Sequence, residues 1–255
     1  MPRTVPHQLL DLARWAPSGD NTQPWRFQVA GPQHIVVHGF DTREHCVYDF
    51  DGRPSQMSIG ALLENIVLAA SCYGMTASTL RRSGSDERSP VFDVHLAAMG
   101  TPKDSLADCI RTRSVQRRSL SMRPLSVAEK DFLGASVGPE YRVLWFEGGP
   151  RKRQVAHLLW TSAKLRLTIP EAYAVHREVI AWGARFSEDR VPQEAIGIDP
   201  IGARLMAWVM QSWERVEFFN RYLGGTLLPR IQLDLIPGLR CAAHFAIVPL
   251  SAASD

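Results

Sequence analysis

Residues 57–75, MSIGALLENIVLAASCYGM, form the clearest helix in the sequence and are apolar on most of its faces. Such a helix predicts deep burial, so the chain must build a substantial core around it. Gly74 suits its C-terminal end, where a left-handed residue stops the winding. The 255 residues are enough for that core, either as one large domain or as two intimately packed halves. The composition, 45% hydrophobic and 22% charged, is that of an ordinary globular protein. The net charge is only +3, with both signs mixed along most of the chain. It gives no general argument for nucleic acid or a membrane surface. Cys46, Cys72, Cys109 and Cys241 lie far apart and form no CxxC pair. That spacing argues against a disulfide framework or zinc site and for a reducing compartment. No apolar run approaches the ~20 residues that span a bilayer. The opening MPRTVPHQLLDLARW lacks the apolar core of a signal peptide, so a cytoplasmic location is expected.

The remaining pattern predicts an α+β chain. Residues 6–16 have helical spacing, with Pro6 in the first turn. WRFQVAGPQHIVVHGF reads as two strands around a Gly-Pro turn, and VFDVHLAAM as a further strand. RRSGSDERS between them reads as a charged loop. Ser126 and Glu129 have capping-box spacing and open a helix, followed by the strand YRVLWFEG. Helices are expected over RKRQVAHLLWTSAKLRLTIP, over PEAYAVHREVIAWGARF and across 202–223, and PGLRCAAHFAIVPL closes as a strand. The order of elements begins again near residue 103. This predicts two related halves, about 1–105 and 106–255, sharing one core without a flexible linker.

Residues 16–27, APSGDNTQPWRF, are the most informative stretch. Ser18, Asp20, Asn21, Thr22 and Gln23 crowd donors and acceptors between a helix and a strand. Pro17 and Pro24 stiffen the ends, and Gly19 permits an unusual backbone angle. A rigid polar loop supported by Trp25 and Phe27 can hold a flat, heteroatom-rich ligand. The same residues also suit a capped turn with no ligand. Residues 111–118, RTRSVQRR, hold four arginines around Ser114. Arginine pairs with phosphate through parallel hydrogen bonds. A solvated basic loop is the plainer alternative. Nucleic-acid binding would need a broader basic face or stacking aromatics, which the segment lacks. Asn65 reads equally as a polar ligand contact or as a buried cap on a neighbouring backbone group, and Trp182 as helix core. There is no HExxH, GxSxG, GxGxxG or GxxxxGKS motif. Metal, α/β-hydrolase, Rossmann and P-loop chemistry are therefore not expected.

LARWAPSGDNTQPWRFQV resembles the helix–loop–strand signature of the nitroreductase family. Pro17, Ser18, Asn21, Gln23, Pro24 and Trp25 match its A-P-S-x-x-N-x-Q-P-W loop, which lies beside FMN. The resemblance implies that Ser18 and Asn21 contact the flavin, that Gln23 contacts it or braces the loop, and that Trp25 packs. IRTRSVQRRSLSMRPLS resembles the basic segment that grips the phosphate and flavin ring. The register that keeps both charges puts Arg113 and Arg117 on its basic positions and Val115 where Ser or Thr is usual. A shift of one restores Ser114 and places Gln116 on a basic position. The chain is most similar to the Acg-type branch, where two halves in one chain mimic the family dimer as a nitroreductase-like sandwich. Here the loop precedes the basic segment by about 90 residues, which implies one FMN shared by the two halves.

The cofactor shell implied is Pro17, Ser18, Asn21, Gln23, Arg113, Ser114 and Arg117. Arg117 is the candidate for positive charge near the flavin N1–O2 edge. The implied activity is hydride or electron transfer through flavin N5 to a small nitro compound, quinone or biosynthetic intermediate, with NAD(P)H as a possible donor. No protein acid or base is assigned. Flavin storage without turnover and a flavin-free partner subunit are the alternatives. The chain would act as a pseudo-dimeric monomer or a homodimer, without nucleic acid or membrane.

Overall fold

A computed structural model describes residues 4–98, 100 and 102–251. In chain order it holds α1 (Val5–Ala13), β1 (Trp25–Gly31), β2 (His34–Gly39), α2 (Arg53–Ser71), β3 (Met75–Arg81) and β4 (Val91–Ala98). There follow α3 (Val127–Ala135), β5 (Tyr141–Phe146), α4 (Gly148–Arg166), α5 (Pro170–Val179), β6 (Ile180–Ala181) and β7 (Val191–Pro192). The last part holds α6 (Gln193–Ile196), α7 (Pro200–Val209), α8 (Trp213–Tyr222), α9 (Leu227–Arg230), a π-helical turn (Ile231–Leu235), α10 (Ile236–Leu239) and β8 (His244–Pro249). This is a mixed α+β chain. Its contacts divide into two compact units, one formed by residues up to 115 with 174–192, the other by 116–173 with 193 onward.

In the first unit the strands form one antiparallel sheet in the order β1-β2-β4-β3. Ile35, Val37, Val94 and Leu96 of this sheet share a buried cluster with Leu9, Leu10 and Ala13 of α1 and Leu62, Ile66, Ala69 and Ala70 of α2. The long helix is therefore the centre of this core. Its buried residues recur at three- and four-residue spacing, from Ser55 through Ala70. Met57 stays 76% exposed, so burial follows one stripe rather than most faces. The helix starts earlier than its apolar run, at Arg53, where Pro54 can occupy a first-turn position at no hydrogen-bond cost. Gly74, at φ +64°, follows its end in the left-handed conformation. Met75, expected within the helix, opens β3 instead, and β3 itself has no apolar alternation to announce it.

In the second unit β5 and β8 pair antiparallel, from Tyr141↔Pro249 to Phe146↔His244. The capping box forms at α3. Ser126 Oγ accepts from the Glu129 N–H at 3.2 Å, and the Glu129 carboxylate accepts from the Ser126 N–H at 2.8 Å. The Arg123 guanidinium, with Ser126, holds the Glu129 carboxyl down at about 2. The expected helix over 202–223 is split into α7 and α8 by Ser212, whose hydroxyl caps α8. α10 crosses α4 closely at Gly238, where a Cβ would stand 3.0 Å from that of Ala156. α5 stops at Val179 rather than at Phe186, because the chain leaves it to pair β6 with β7. Trp182 therefore lies in the β6–β7 loop, half-buried, and not on a helix.

Among the described residues no helix is long and apolar enough to cross a membrane, and no group of three or more His, Cys, Asp or Glu side chains could hold a metal ion.

Candidate functional site

The loop between α1 and β1 is built within the first unit. Asp20, Asn21 and Gln23 have φ of +48°, +61° and +48°, and they are the positive-φ residues other than glycine among those described. A side chain in this region crowds its own backbone, at a cost of about 1–3 kcal/mol each. Asn and Asp bear it more easily than Gln. The surroundings hold the loop in this shape. Ser18 Oγ accepts from the Gln23 N–H at 3.1 Å, closing the loop on itself. The Gly19 N–H donates to Ser58 Oγ of α2 at 3.3 Å. Trp25, 3% exposed, anchors the exit in the core, and Pro24 is fully buried beside it. Pro17 is exposed and Ser18 is half-buried.

The side-chain amides of Asn21 and Gln23 reach across to the β6–β7 loop. Asn21 Nδ2 donates to the carbonyls of Glu188 and Arg190 at 3.3 and 3.2 Å, and Gln23 Nε2 donates to that of Glu188. The two amides therefore hold backbone carbonyls with their nitrogens and keep their oxygens as acceptors. Ser18 spends a lone pair on Gln23 and keeps its O–H as a donor.

Below the loop lies a cavity of about 40 Å³, bordered by Gly19, Asp20, Thr22, Tyr48, Asp49 and Ser58, with room for about one water molecule. Asp49, 2% exposed, accepts from the Thr42 N–H and O–H at 2.8 and 2.9 Å and from the Ser55 N–H and O–H at 3.2 and 2.6 Å. Burial alone would raise its carboxyl, but the bonds from Ser55 and Thr42 outweigh burial and hold it below the usual range. Asp49 ties the loop ahead of α2 to the helix's first turn. Asn65 is buried, and its Nδ2 donates to the Ala13 carbonyl at 3.4 Å, so it caps the end of α1.

The basic segment is irregular and exposed throughout 111–118. Arg113 belongs to the first unit. Its Nη2 donates to the Trp15 carbonyl at 2.6 Å, which joins the segment to the entrance of the loop. Partial burial lowers the Arg113 guanidinium from its usual value, yet it stays charged at neutral pH. Ser114 lies in the first unit and Arg117 in the second, and neither makes a side-chain hydrogen bond among the described residues. Arg118 donates through Nη2 to the Glu194 carbonyl at 2.9 Å. Arg118 and Ser119 border a cavity of about 590 Å³ within the second unit. That is a small-molecule size. Asp199 stands in its wall, accepting from the Ile201 and Gly202 N–H groups at the start of α7 and from Gln232 at 2.9 Å. Thus Ser18, Asn21, Gln23 and Arg113 are gathered in one unit around the loop. The partners of Asn21 and Gln23 are backbone carbonyls more than 160 residues away, and no side-chain pattern signals them.

No family model matches the chain. It is similar to two proteins from two strains of Mycobacterium tuberculosis, each named "Putative NAD(P)H nitroreductase". Each is 28% identical over 192 residues, which cover 70% of this chain and 51% of the relative. The chain thus spans about half the length of the curated relatives it matches. The similarity supports a nitroreductase-like family, in agreement with the resemblance carried by the loop.

Proposed function

We propose that this protein is an FMN-dependent oxidoreductase of the nitroreductase type, reducing or oxidising a small organic molecule such as a nitro compound or quinone with NAD(P)H as partner. The observation that carries the reading is the loop 17–24. Three residues sit there in a costly backbone conformation, held by bonds from inside the unit. Strain of this kind persists where the surroundings over-determine it, and it gathers at ligand sites. The relatives' name supports the redox class.

The side chains fit the group. A flavin ring offers both donors and acceptors along its polar edge. Ser18 O–H supplies a donor, and the amide oxygens of Asn21 and Gln23 supply acceptors held in fixed positions by their own bonds. Arg113 and Ser114 supply donors and charge suited to a phosphate. Pro17 limits the loop's freedom at its entrance. Bound FMN supplies two-electron redox chemistry, while the protein supplies orientation and electrostatics. Arg117 places positive charge where a reduced, anionic ring gains most from it. In this reading the two halves, about 1–105 and 106–255, correspond to the two subunits of the family dimer in a nitroreductase-like sandwich. The chain acts as a pseudo-dimer or assembles as a homodimer.

The test is reconstitution. Purified protein mixed with FMN is passed through a desalting column, and retained flavin is measured with and without the double change Asn21→Ala, Gln23→Ala. Retention by the native chain and loss by the double variant support the reading. Equal retention by both contradicts the loop's role.

A further inference from the structure

The cavity of about 590 Å³ in the second unit is lined by none of the residues that would hold the flavin. Its volume lies within the range of small-molecule sites, about 300–1,000 Å³. All of its lining residues belong to the second unit. Ile198, Ala203 and Ile236 give it an apolar wall, and Arg118, Glu194, Asp199 and Gln232 bring charge and polar groups. The charged lining is thus two carboxylates against one guanidinium. That guanidinium already donates through Nη2 to the Glu194 carbonyl at 2.9 Å.

Asp199 is the N-cap of α7. Its Oδ1 accepts from the Ile201 and Gly202 N–H groups at 3.0 and 2.9 Å, and its Oδ2 accepts from Gln232 Nε2 at 2.9 Å. These donors are all neutral, and no arginine, lysine or histidine pairs with Asp199 among the described residues. The Gly202 N–H and the Gln232 amide hold the Asp199 carboxyl below its usual range, so it is ionised at neutral pH. Gly202 makes room for it, because a Cβ there would stand 2.8 Å from Asp199 Oδ2. Glycine within a helix costs stability relative to alanine, and α7 carries that cost where the carboxylate sits. Helix capping accounts for Oδ1 but not for Gln232. A carboxylate can only accept, so the amide must turn its nitrogen to Asp199 and its oxygen away. That Oε1 is buried and has no hydrogen-bond partner among the described residues. A buried acceptor without a donor is costly and uncommon in native proteins.

We infer that this cavity binds a small organic cation, a protonated primary amine on an apolar body, with its ammonium at Asp199 and Gln232. An ammonium carries three N–H donors and no acceptor. It neutralises the Asp199 charge, which no side chain of the protein does, and it brings a donor for Gln232 Oε1. The carbon body lies against Ile198, Ala203 and Ile236. An alcohol of the same shape brings a donor but no charge. An anion would meet the like charges of Asp199 and Glu194. None of these residues belongs to the flavin shell, so the amine site stands or falls apart from it.

The experiment titrates the full chain with methylammonium, butylammonium and benzylammonium, and with the three corresponding alcohols, at neutral pH and constant ionic strength, following binding by calorimetry. The same titrations are made for Asp199→Asn and Gln232→Leu. Asparagine caps a helix as well as aspartate does, so Asp199→Asn keeps the start of α7 and removes the charge. Saturable binding of at least one amine is expected for the native chain, about tenfold or more tighter than its alcohol. In Asp199→Asn that affinity should fall by about tenfold or more, and in Gln232→Leu it should fall by less. No saturation with any of the three amines, an alcohol bound as tightly as its amine, or an affinity unchanged in either variant overturns the inference. The same preparations are mixed with FMN and desalted. FMN uptake with no amine binding overturns the amine site and leaves the flavin reading standing. Amine binding with no FMN uptake does the reverse.

Discussion

The loop at 17–24 and the basic segment at 111–118 are both dense in polar groups, and the protein treats them in opposite ways. In the loop Ser18, Asn21 and Gln23 all bond within the unit, and the backbone of Asp20, Asn21 and Gln23 is forced into strained angles. In the segment every residue is exposed, and Ser114 and Arg117 bond to nothing described. Arg113, bonded to the Trp15 carbonyl, and Arg111, lying over the Trp15 ring at 5.9 Å, tie it to the loop's entrance. The loop is a preformed shape. The segment is stored charge, with donors left for a ligand to use.

The comparison can be broken at the loop first. Trp25→Ala removes the buried anchor and is expected to cost about 3–5 kcal/mol in urea unfolding. A cost below about 1 kcal/mol would mean that the core does not hold the loop. The double change Asn21→Ala, Gln23→Ala removes three bonds to the β6–β7 loop, worth about 0.5–1.5 kcal/mol each. It should speed proteolytic cleavage within 182–190, and an unchanged cleavage rate would show that these amides do not hold that loop. At the basic segment the effects should fall on binding instead. Arg117→Ala should weaken FMN retention by about 1.5–3 kcal/mol, while unfolding shifts by less than about 0.5 kcal/mol. The reverse pattern would make Arg117 structural. The smallest effect concerns pH. Asp49 has a lowered folded-state pKa, so the stability it contributes is present above the unfolded carboxylate pKa and is lost as pH falls through the folded value. Unfolding measured from neutral to acid pH should therefore decline more steeply in the native chain than in Asp49→Asn.

What could be read from the sequence was local. Pro17 and Pro24 bracket the loop, Ser126 and Glu129 announce α3, and the Gly-Pro turn marks the β1–β2 hairpin. Each signal lies within a few residues of its effect. β3 was not legible, because MTASTLR is mostly polar and becomes a strand by pairing with β4. The end of α5 was hidden for the same reason, since its periodicity continues past Val179 while the chain turns to form β6. In the site, the residue types of the loop were legible. Its φ angles, the carbonyls of Glu188 and Arg190, and the floor made by Asp49 and Ser58 were not, because they arise from segments distant in the chain. The pairing of Arg166 with Asp234 likewise joins α4 to a π-helical turn 68 residues away, with no local sequence mark.

The most direct measurement of the central claim is the visible spectrum of the purified protein, with mass identification of whatever is released on denaturation. The account predicts flavin bands near ~450 nm and FMN at about one per chain. A colourless protein that takes up no added FMN would contradict it, and the strained loop would then have to be explained by another ligand.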